Sequence, residues 1–254
     1  MSLSSHTVVL ISGASRGIGR TLVETLLLRP NHIIIGTIRD PSAPYAEELN
    51  GLPKSPSSRL HLVKIESSNP TDPPAAIRDL ADVIDHIDVV IANAGWTGAN
   101  NGMVSLDTVS AEATADVFAV NVLGPLALYQ AVKPLLDKSS SPRWVSVSSA
   151  AGSIGRLELH KAHIAPPYGI SKAALNWMTV AIHSANQDFI AFAVNPGLVQ
   201  SESGNASARA MGLPQAPITL RQSVDAILDV IDNATRDNTS GKFINVMDGS
   251  EIPW

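Results

Sequence analysis

Cysteine is missing from all 254 positions, which excludes disulfides, thiol nucleophiles and cysteine-ligated metals and agrees with a reducing compartment. Positive charge is also in short supply: Lys and Arg total 18 against 23 Asp and Glu, a formal net charge of -5. No local Lys/Arg cluster compensates, so neither nucleic acid nor an anionic membrane surface is an expected partner. Nowhere do about 18 apolar residues run uninterrupted, as a membrane span requires. Met1-Ser2-Leu3-Ser4-Ser5-His6 offers no basic segment ahead of a long apolar one and leads straight into Val8-Val9-Leu10-Ile11. The chain reads as soluble and cytoplasmic, and internal repeats are absent.

What is present suffices for a full core: 44% of the residues are hydrophobic, enough for one α/β domain over 1–254. Short β-branched runs near 7–12, 32–38, 60–65, 87–92, 143–148, 189–194 and 242–246 alternate with helical patterns near 17–29, 73–84, 111–136, 168–186 and 220–234. Several of the runs are apolar throughout, as strands covered on both faces must be. The expected fold is doubly wound α/β, a predominantly parallel seven-stranded sheet flanked by helices. Pro125 removes a backbone donor inside the third helical pattern, predicting a kink or a break there. The Pro- and Ser-rich stretch Asp40 to Ser58 is read as an insertion, because the strand-like Leu60-His61-Leu62-Val63-Lys64-Ile65 after it can be buried only in the same sheet. Loops of about 96–107, 150–167 and 197–218 follow strands, and loops at the carboxyl ends of parallel strands form the ligand crevice.

The first strand pattern runs into Gly13-Ala14-Ser15-Arg16-Gly17-Ile18-Gly19 and then into a helix. Glycines let the backbone turn tightly and approach a pyrophosphate, and free amides at a helix N-terminus favour its charge. The spacing is G-x-x-x-G-x-G, and no P-loop lysine follows, which speaks against nucleotide hydrolysis. Near the end of the second strand, where a dinucleotide site meets the adenosine ribose, the chain reads Ile38-Arg39-Asp40. An apolar residue followed by Arg39, with Arg16 as a second cation, suits a 2′-phosphate and predicts NADP(H) over NAD(H). The alternative is a solvated Arg39 with Asp40 on the ribose.

Tyr168 and Lys172 stand four residues apart in Tyr168-Gly169-Ile170-Ser171-Lys172, so a helix places them on one face. A cation there favours the phenolate and makes Tyr168 a candidate acid. Together with the glycine turn, Ala92-Asn93-Ala94-Gly95, Ser148-Ser149, Asn121-Val122-Leu123-Gly124 and Asn195-Pro196-Gly197-Leu198-Val199, this ordered set resembles the short-chain dehydrogenase/reductase family over nearly the whole chain. The resemblance implies a Rossmann-like fold. It implies that Tyr168 donates a proton to a small-molecule carbonyl substrate, Lys172 lowers its pKa and holds the nicotinamide ribose, Ser149 orients the carbonyl oxygen and Asn121 holds a relay water. Cofactor contacts are implied for Gly13, Ser15, Arg16, Gly17, Ile18, Gly19, Arg39, Glu66, Asn93, Ala94, Gly95, Pro196, Gly197, Val199 and Ser201, with Asn93 bracing the adenine pocket. A homodimer or homotetramer built partly on long helices is also implied. The C-terminal Gly241-Lys242-Phe243-Ile244-Asn245-Val246 and Asp248 to Trp254 resemble the branch of C-signal-like, sniffer-like and fungal norsolorinic-acid-type ketoreductases, which points to a polyketide or other secondary metabolite.

Some positions depart from the family's pattern or have a plainer reading. Nineteen positions separate Ser149 from Tyr168, more than is usual for the family, and the surplus falls in the loop that would shape the substrate pocket. Glu66 stands where an aspartate often follows the third strand. Ser149 could equally end a strand and cap a turn, with Ser148 as its rival; a buried Asn121 could simply bridge backbones. His160 and His163 have no evident third ligand, so no metal is expected; with Glu158 they are substrate-contact candidates. Trp96, Met103, Leu198 and Met211 are candidates for the pocket wall or the core, and Trp177 and Met178 for a subunit face or the core. Besides a reductase, an NADP(H)-binding regulator without turnover and a non-redox isomerase or cyclase fit the same fold.

Overall fold

A computed structural model describes residues 6–98 and 103–254. Seven strands, β1 (Thr7–Ile11), β2 (His32–Ile38), β3 (Arg59–Lys64), β4 (Val89–Ala92), β5 (Arg143–Val147), β6 (Ile190–Asn195) and β7 (Phe243–Asn245), form one sheet in the order β3-β2-β1-β4-β5-β6-β7. Every pairing is parallel, so all seven carboxyl ends lie along one edge. The order reverses between β1 and β4, which opens the crevice where an α/β sheet takes its ligand.

Among the described residues eight α-helices accompany the sheet: α1 (Gly17–Leu27), α2 (Pro44–Asn50), α3 (Asp72–Asp79), α4 (Ala111–Phe118), α5 (Gly124–Leu136), α6 (Pro166–Ala185), α7 (Glu202–Ala210) and α8 (Leu220–Asn233). Alternate residues of the central strands feed two separate cores, and Ala193 and Phe243 join Ile252 in a smaller third cluster. Val9 and Ile11 pack with Leu22 and Leu26 of α1 and Ile227 of α8; Val8 and Leu10 pack with Leu128 of α5 and Leu175 of α6. Burial on both faces is why β2 reads His-Ile-Ile-Ile with no polar alternation.

The structure adds two helices where loops were expected. The Asp40 to Ser58 insertion carries α2, begun by Pro44 and seated by buried Ala46 and Leu49. The 197–218 loop carries α7, capped by the Ser201 side chain. The helical pattern near 73–84 ends at Asp79, earlier than expected, and Leu80 and Ile84 fill the core from the irregular segment after it. Pro125 does not end its segment: a π-helical turn, Ala119–Leu123, joins α4 to α5, and the Gly124 amide reaches back five residues to the Ala119 carbonyl. That wider turn absorbs the donor missing from Pro125. By length and mean hydropathy Ala111–Leu136 is apolar enough to cross a membrane, but it lies against α3 and α6 as one layer of the fold.

Candidate active site

The glycine turn is built against the end of β4. Gly13 adopts φ 70°, and a Cβ there would lie 3.0 Å from Ala94 Cα. Asn93 and Ala94 donate their amides to Ser12 Oγ at 3.0 and 2.9 Å, and Asn93 Nδ2 donates to the Ser12 carbonyl at 2.9 Å. Asn93 therefore braces the backbone of the glycine turn. A Cβ at Gly19 would fall 2.1 Å from the Gly13 carbonyl oxygen, so the start of α1 is pressed onto the turn. Ser110, Ser201 and Thr219 cap α4, α7 and α8 with side-chain oxygens, whereas Arg16 gives α1 no such cap and its first turn holds no acid. The Gly17, Ile18 and Gly19 amides are thus left to an anion, the fit a pyrophosphate needs.

Around the expected ribose position, Ile38 is buried and Arg39 is 72% exposed, with its Nε 4.0 Å from Glu66. Asp40 Oδ1 is occupied by Ser42, accepting from its amide at 2.9 Å and its hydroxyl at 2.6 Å, which weighs against a ribose-binding Asp40. Ser15 is half-buried in the turn, and the exposed Arg16 is paired with Glu202 at the start of α7.

The second half of the site hangs from β5 and α6. Ser149 follows β5, accepts from the Ala151 amide at 3.2 Å and lies beside Tyr168. Its rival Ser148 is buried and donates to Asn176 Oδ1 at 2.6 Å. Lys172, only 3% exposed, donates from Nζ to the Val147 carbonyl at 2.9 Å and lies 5.6 Å from the centre of the Tyr168 ring. Burial lowers the Lys172 pKa to about 8. Burial also holds the Tyr168 phenol above its ordinary value, and the Ser149 hydrogen bond pulls the other way. The side chain opposing the rise at Tyr168 is Ser149, and Lys172 Nζ is hydrogen-bonded to a strand carbonyl.

Asn121 sits in the π-helical turn with no exposed surface. Its Oδ1 accepts from the Trp96 amide at 2.8 Å, and its Nδ2 donates to the Trp96 carbonyl at 2.8 Å and to Ser171 Oγ at 2.9 Å. The side chain is therefore a bridge between the β4 loop and α6. Pro125, four residues on, has no N–H with which to meet the Asn121 backbone carbonyl in α-helical register. A Cβ at Gly95 would lie 3.4 Å from Asn121 Oδ1 and 3.5 Å from Lys172 Nζ, which packs these three residues together.

Beyond β6, Asn195 Oδ1 accepts the Ala150 amide at 3.1 Å and the Pro196 carbonyl accepts from Ser223 at 2.8 Å. Val199 bridges Ile218, closing a flap that carries α7, and Gly17 lies against Ser201. A cavity of about 650 Å³ is lined by Met103, Ser105, Leu106 and Asp107, by His163 and Ile164, and by Ala210, so all three substrate loops meet in it. Ser149, Tyr168 and Lys172 do not line it; Ile164, four residues before Tyr168, is the link by chain. Positions 99–102 of the first loop lie outside the described residues. Of the four wall candidates only Met103 faces this cavity; Trp96 and Met211 are exposed and Leu198 is half-buried. Trp177 points outward and Met178 inward to the core. Burial lowers the His160 pKa, its Nε2 is buried without a hydrogen bond, and no metal-binding group forms among the described residues.

The tail after β7 closes the substrate loop from behind. Ser153 Oγ donates to the Pro253 carbonyl, the Gly155 amide donates to the Trp254 carbonyl at 3.0 Å, and Trp254 stacks on Phe243. Motif reading missed this contact, the Val147 acceptor, the Trp96 backbone and Glu202. Backbone acceptors carry no residue-type signal; Glu202 left only the pattern of an N-cap serine followed by an acid.

A parallel sheet that places a glycine turn, an uncapped helix start and a Ser-Tyr-Lys cluster at one edge defines an oxidoreductase of the dinucleotide-binding class. The chain belongs to the short-chain dehydrogenase family, whose model matches residues 7–211. It is 43% identical to the short-chain dehydrogenase srdF of Neurospora crassa over the full length of both chains. With norsolorinic acid ketoreductase nor1 of Dothistroma septosporum it shares 36% identity, covering 99% of this chain and 94% of that one. The solved structure of an NADPH-bound carbonyl reductase from chicken fatty liver superposes with a TM-score of 0.85 at 30% identity, covering 98% of this chain and 99% of that one.

Proposed function

We propose that this protein is an NADPH-dependent ketoreductase that reduces the carbonyl of an apolar, polyketide-like small molecule to an alcohol. The observation that carries the reading is the cluster at the end of β5, where Ser149 lies beside Tyr168 and Lys172 Nζ, held 2.9 Å from the Val147 carbonyl, sits 5.6 Å from the centre of the Tyr168 ring. When bound, the nicotinamide supplies hydride to the carbonyl carbon. Tyr168, kept protonated by burial, donates its proton to the oxygen as charge develops there, and Ser149 holds that oxygen in line. Lys172, fixed on Val147, offers its remaining N–H groups to the nicotinamide ribose, and the Asn121 carbonyl holds the water that returns a proton toward Tyr168.

Gly13, Ser15, Gly17, Ile18 and Gly19 hold the pyrophosphate. Arg16 and Arg39 take the 2′-phosphate, which the occupied Asp40 and buried Ile38 support. Glu66, Asn93, Ala94 and Gly95 flank the adenosine half; Pro196, Gly197, Val199 and Ser201 flank the nicotinamide. Ser201 spends an acceptor lone pair on the Gly204 amide and keeps its own O–H for the carboxamide. The apolar walls Met103, Leu106 and Ile164 and the ketoreductase relatives support a large apolar ketone. Exposed Leu123, Leu126, Ile170 and Trp177 on α5, α6 and the turn before them support a homodimer or homotetramer, working in the cytoplasm.

The test is cofactor consumption across aromatic and aliphatic ketones, comparing wild type with Tyr168→Phe. The reading expects NADPH oxidation by wild type and its near loss in the variant. Equal consumption by both overturns the mechanism, and equal efficiency with NADH overturns the cofactor preference.

A further inference from the structure

Both guanidinium groups assigned to the 2′-phosphate face a carboxylate: Arg16 is paired with Glu202, and Arg39 lies 4.0 Å from Glu66. The two pairs differ in where the acid comes from. Glu66 follows β3, in the same half of the sheet as Arg39, whereas Glu202 is the first residue of α7, in the flap that covers the glycine turn from the other half. From the geometry we infer that Glu202 is a cofactor-discriminating residue, a carboxylate that occupies Arg16 until a 2′-phosphate displaces it. The inference rests on the NADP(H) reading above.

The chemistry of the exchange follows from charge and exposure. The Arg16 and Glu202 side chains are 69% and 78% exposed, so their attraction is screened and weak, and a 2′-phosphate with nearly two negative charges outcompetes one carboxylate. A guanidinium cannot serve both in the same geometry without bringing the carboxylate against the phosphate. The 2′-hydroxyl of NADH carries no charge and leaves the pair intact. Glu202 therefore weakens the binding of the phosphorylated cofactor alone, and it bears on the substrate side as well, because the other end of α7 supplies Ala210 to the cavity. The start of α7 gives Glu202 a second attraction, the positive end of the helix, which would be lost for either cofactor if the residue were altered. A purely structural role for Glu202 thus moves both affinities together, and the discriminating role moves only one.

The experiment is direct titration of NADPH and of NADH by nucleotide fluorescence, in wild type, Glu202→Gln, Arg16→Ala and the double variant. The expected result is NADPH binding about two- to five-fold tighter in Glu202→Gln, with NADH unchanged, the gain shrinking at high salt and vanishing in the Arg16→Ala background. Parallel shifts for both cofactors, or no shift in a wild-type protein that prefers NADPH, overturn the discriminating role and leave the cofactor reading standing. A wild type with no preference for NADPH overturns the cofactor reading, and this inference with it.

Discussion

Lys172 Nζ and the Val147 carbonyl oxygen are 2.9 Å apart, which ties the first turns of α6 to the last residue of β5. An ammonium held this way is desolvated, and the cost of that burial can be read from pH. Its folded pKa is about 8 against 10.5 for a free lysine. Below about pH 8 both folded and unfolded chains carry the charge and the full penalty is present. Between about 8 and 10.5 the unfolded chain binds the extra proton, so stability rises with pH, by about 1.4 kcal/mol per unit at most. Urea unfolding of wild type and Lys172→Met at pH 7.5 and 10 should show wild type gaining about 2–3 kcal/mol relative to the variant. A constant difference would mean that the ammonium is solvated.

Tyr168→Phe should cut turnover by about 10²- to 10⁴-fold with little change in cofactor affinity, since only a proton donor is lost. Ser149→Ala removes the hydrogen bond that opposes burial at Tyr168, so the phenol titrates higher still. In the alcohol-oxidation direction, where Tyr168 must be deprotonated, the rising limb of the rate profile should move to higher pH. An unmoved limb would show that Ser149 does not touch the group that titrates.

Asn121→Ala removes three hydrogen bonds at once, two to Trp96 and one to Ser171. The expected destabilisation is about 2–4 kcal/mol, because these bonds are lost together and a gap opens at a position with no exposed surface. Asn121→Asp keeps the acceptor for the Trp96 amide but loses both donors and buries a charge, and should do no better. Denaturant midpoints followed by circular dichroism measure both; a loss below about 1 kcal/mol would rule out the bridge.

Two glycines separate crowding from backbone strain. An alanine Cβ at Gly19 would come 2.1 Å from the Gly13 carbonyl oxygen and 2.6 Å from Asn93 Nδ2, neither able to retreat without opening the turn. Gly212, at φ 82°, meets nothing within 4 Å. Gly19→Ala should abolish cofactor binding as read by fluorescence titration, whereas Gly212→Ala should cost only about 1–2 kcal/mol of stability and leave binding intact. Equal behaviour would remove Gly19 from the cradle.

The sheet was legible in the sequence because its strands are buried on both faces, so Ile33-Ile34-Ile35 and Val89-Val90-Ile91 stand out as unbroken apolar runs. The short helices were not. Residues 44–50 and 202–210 bury few side chains, and the prolines, serines and glycines around them signal turns as readily as helix starts. At the site, side chains with distinctive chemistry were legible at their positions, and Ser149 and Tyr168 lie beside each other across the lengthened loop. Partnerships made by the backbone were not: a bridging Asn121 was one of two readings, and nothing in the sequence named Trp96 as its partner. The Lys172 contact with Val147 was hidden for the same reason, and with it the balance of forces on Tyr168.

The clasp of Ser153 and Gly155 by Pro253 and Trp254 joins positions a hundred residues apart. During synthesis the dinucleotide half, the tyrosine and the lysine all emerge before the segment that fastens the substrate loop. At ordinary elongation rates of about 5–20 residues per second, that loop waits several seconds without its fastening, while β6 and β7 are still being made. Its final shape is therefore among the last events of folding, and a nascent chain can have a formed cofactor cradle before it has a formed substrate wall.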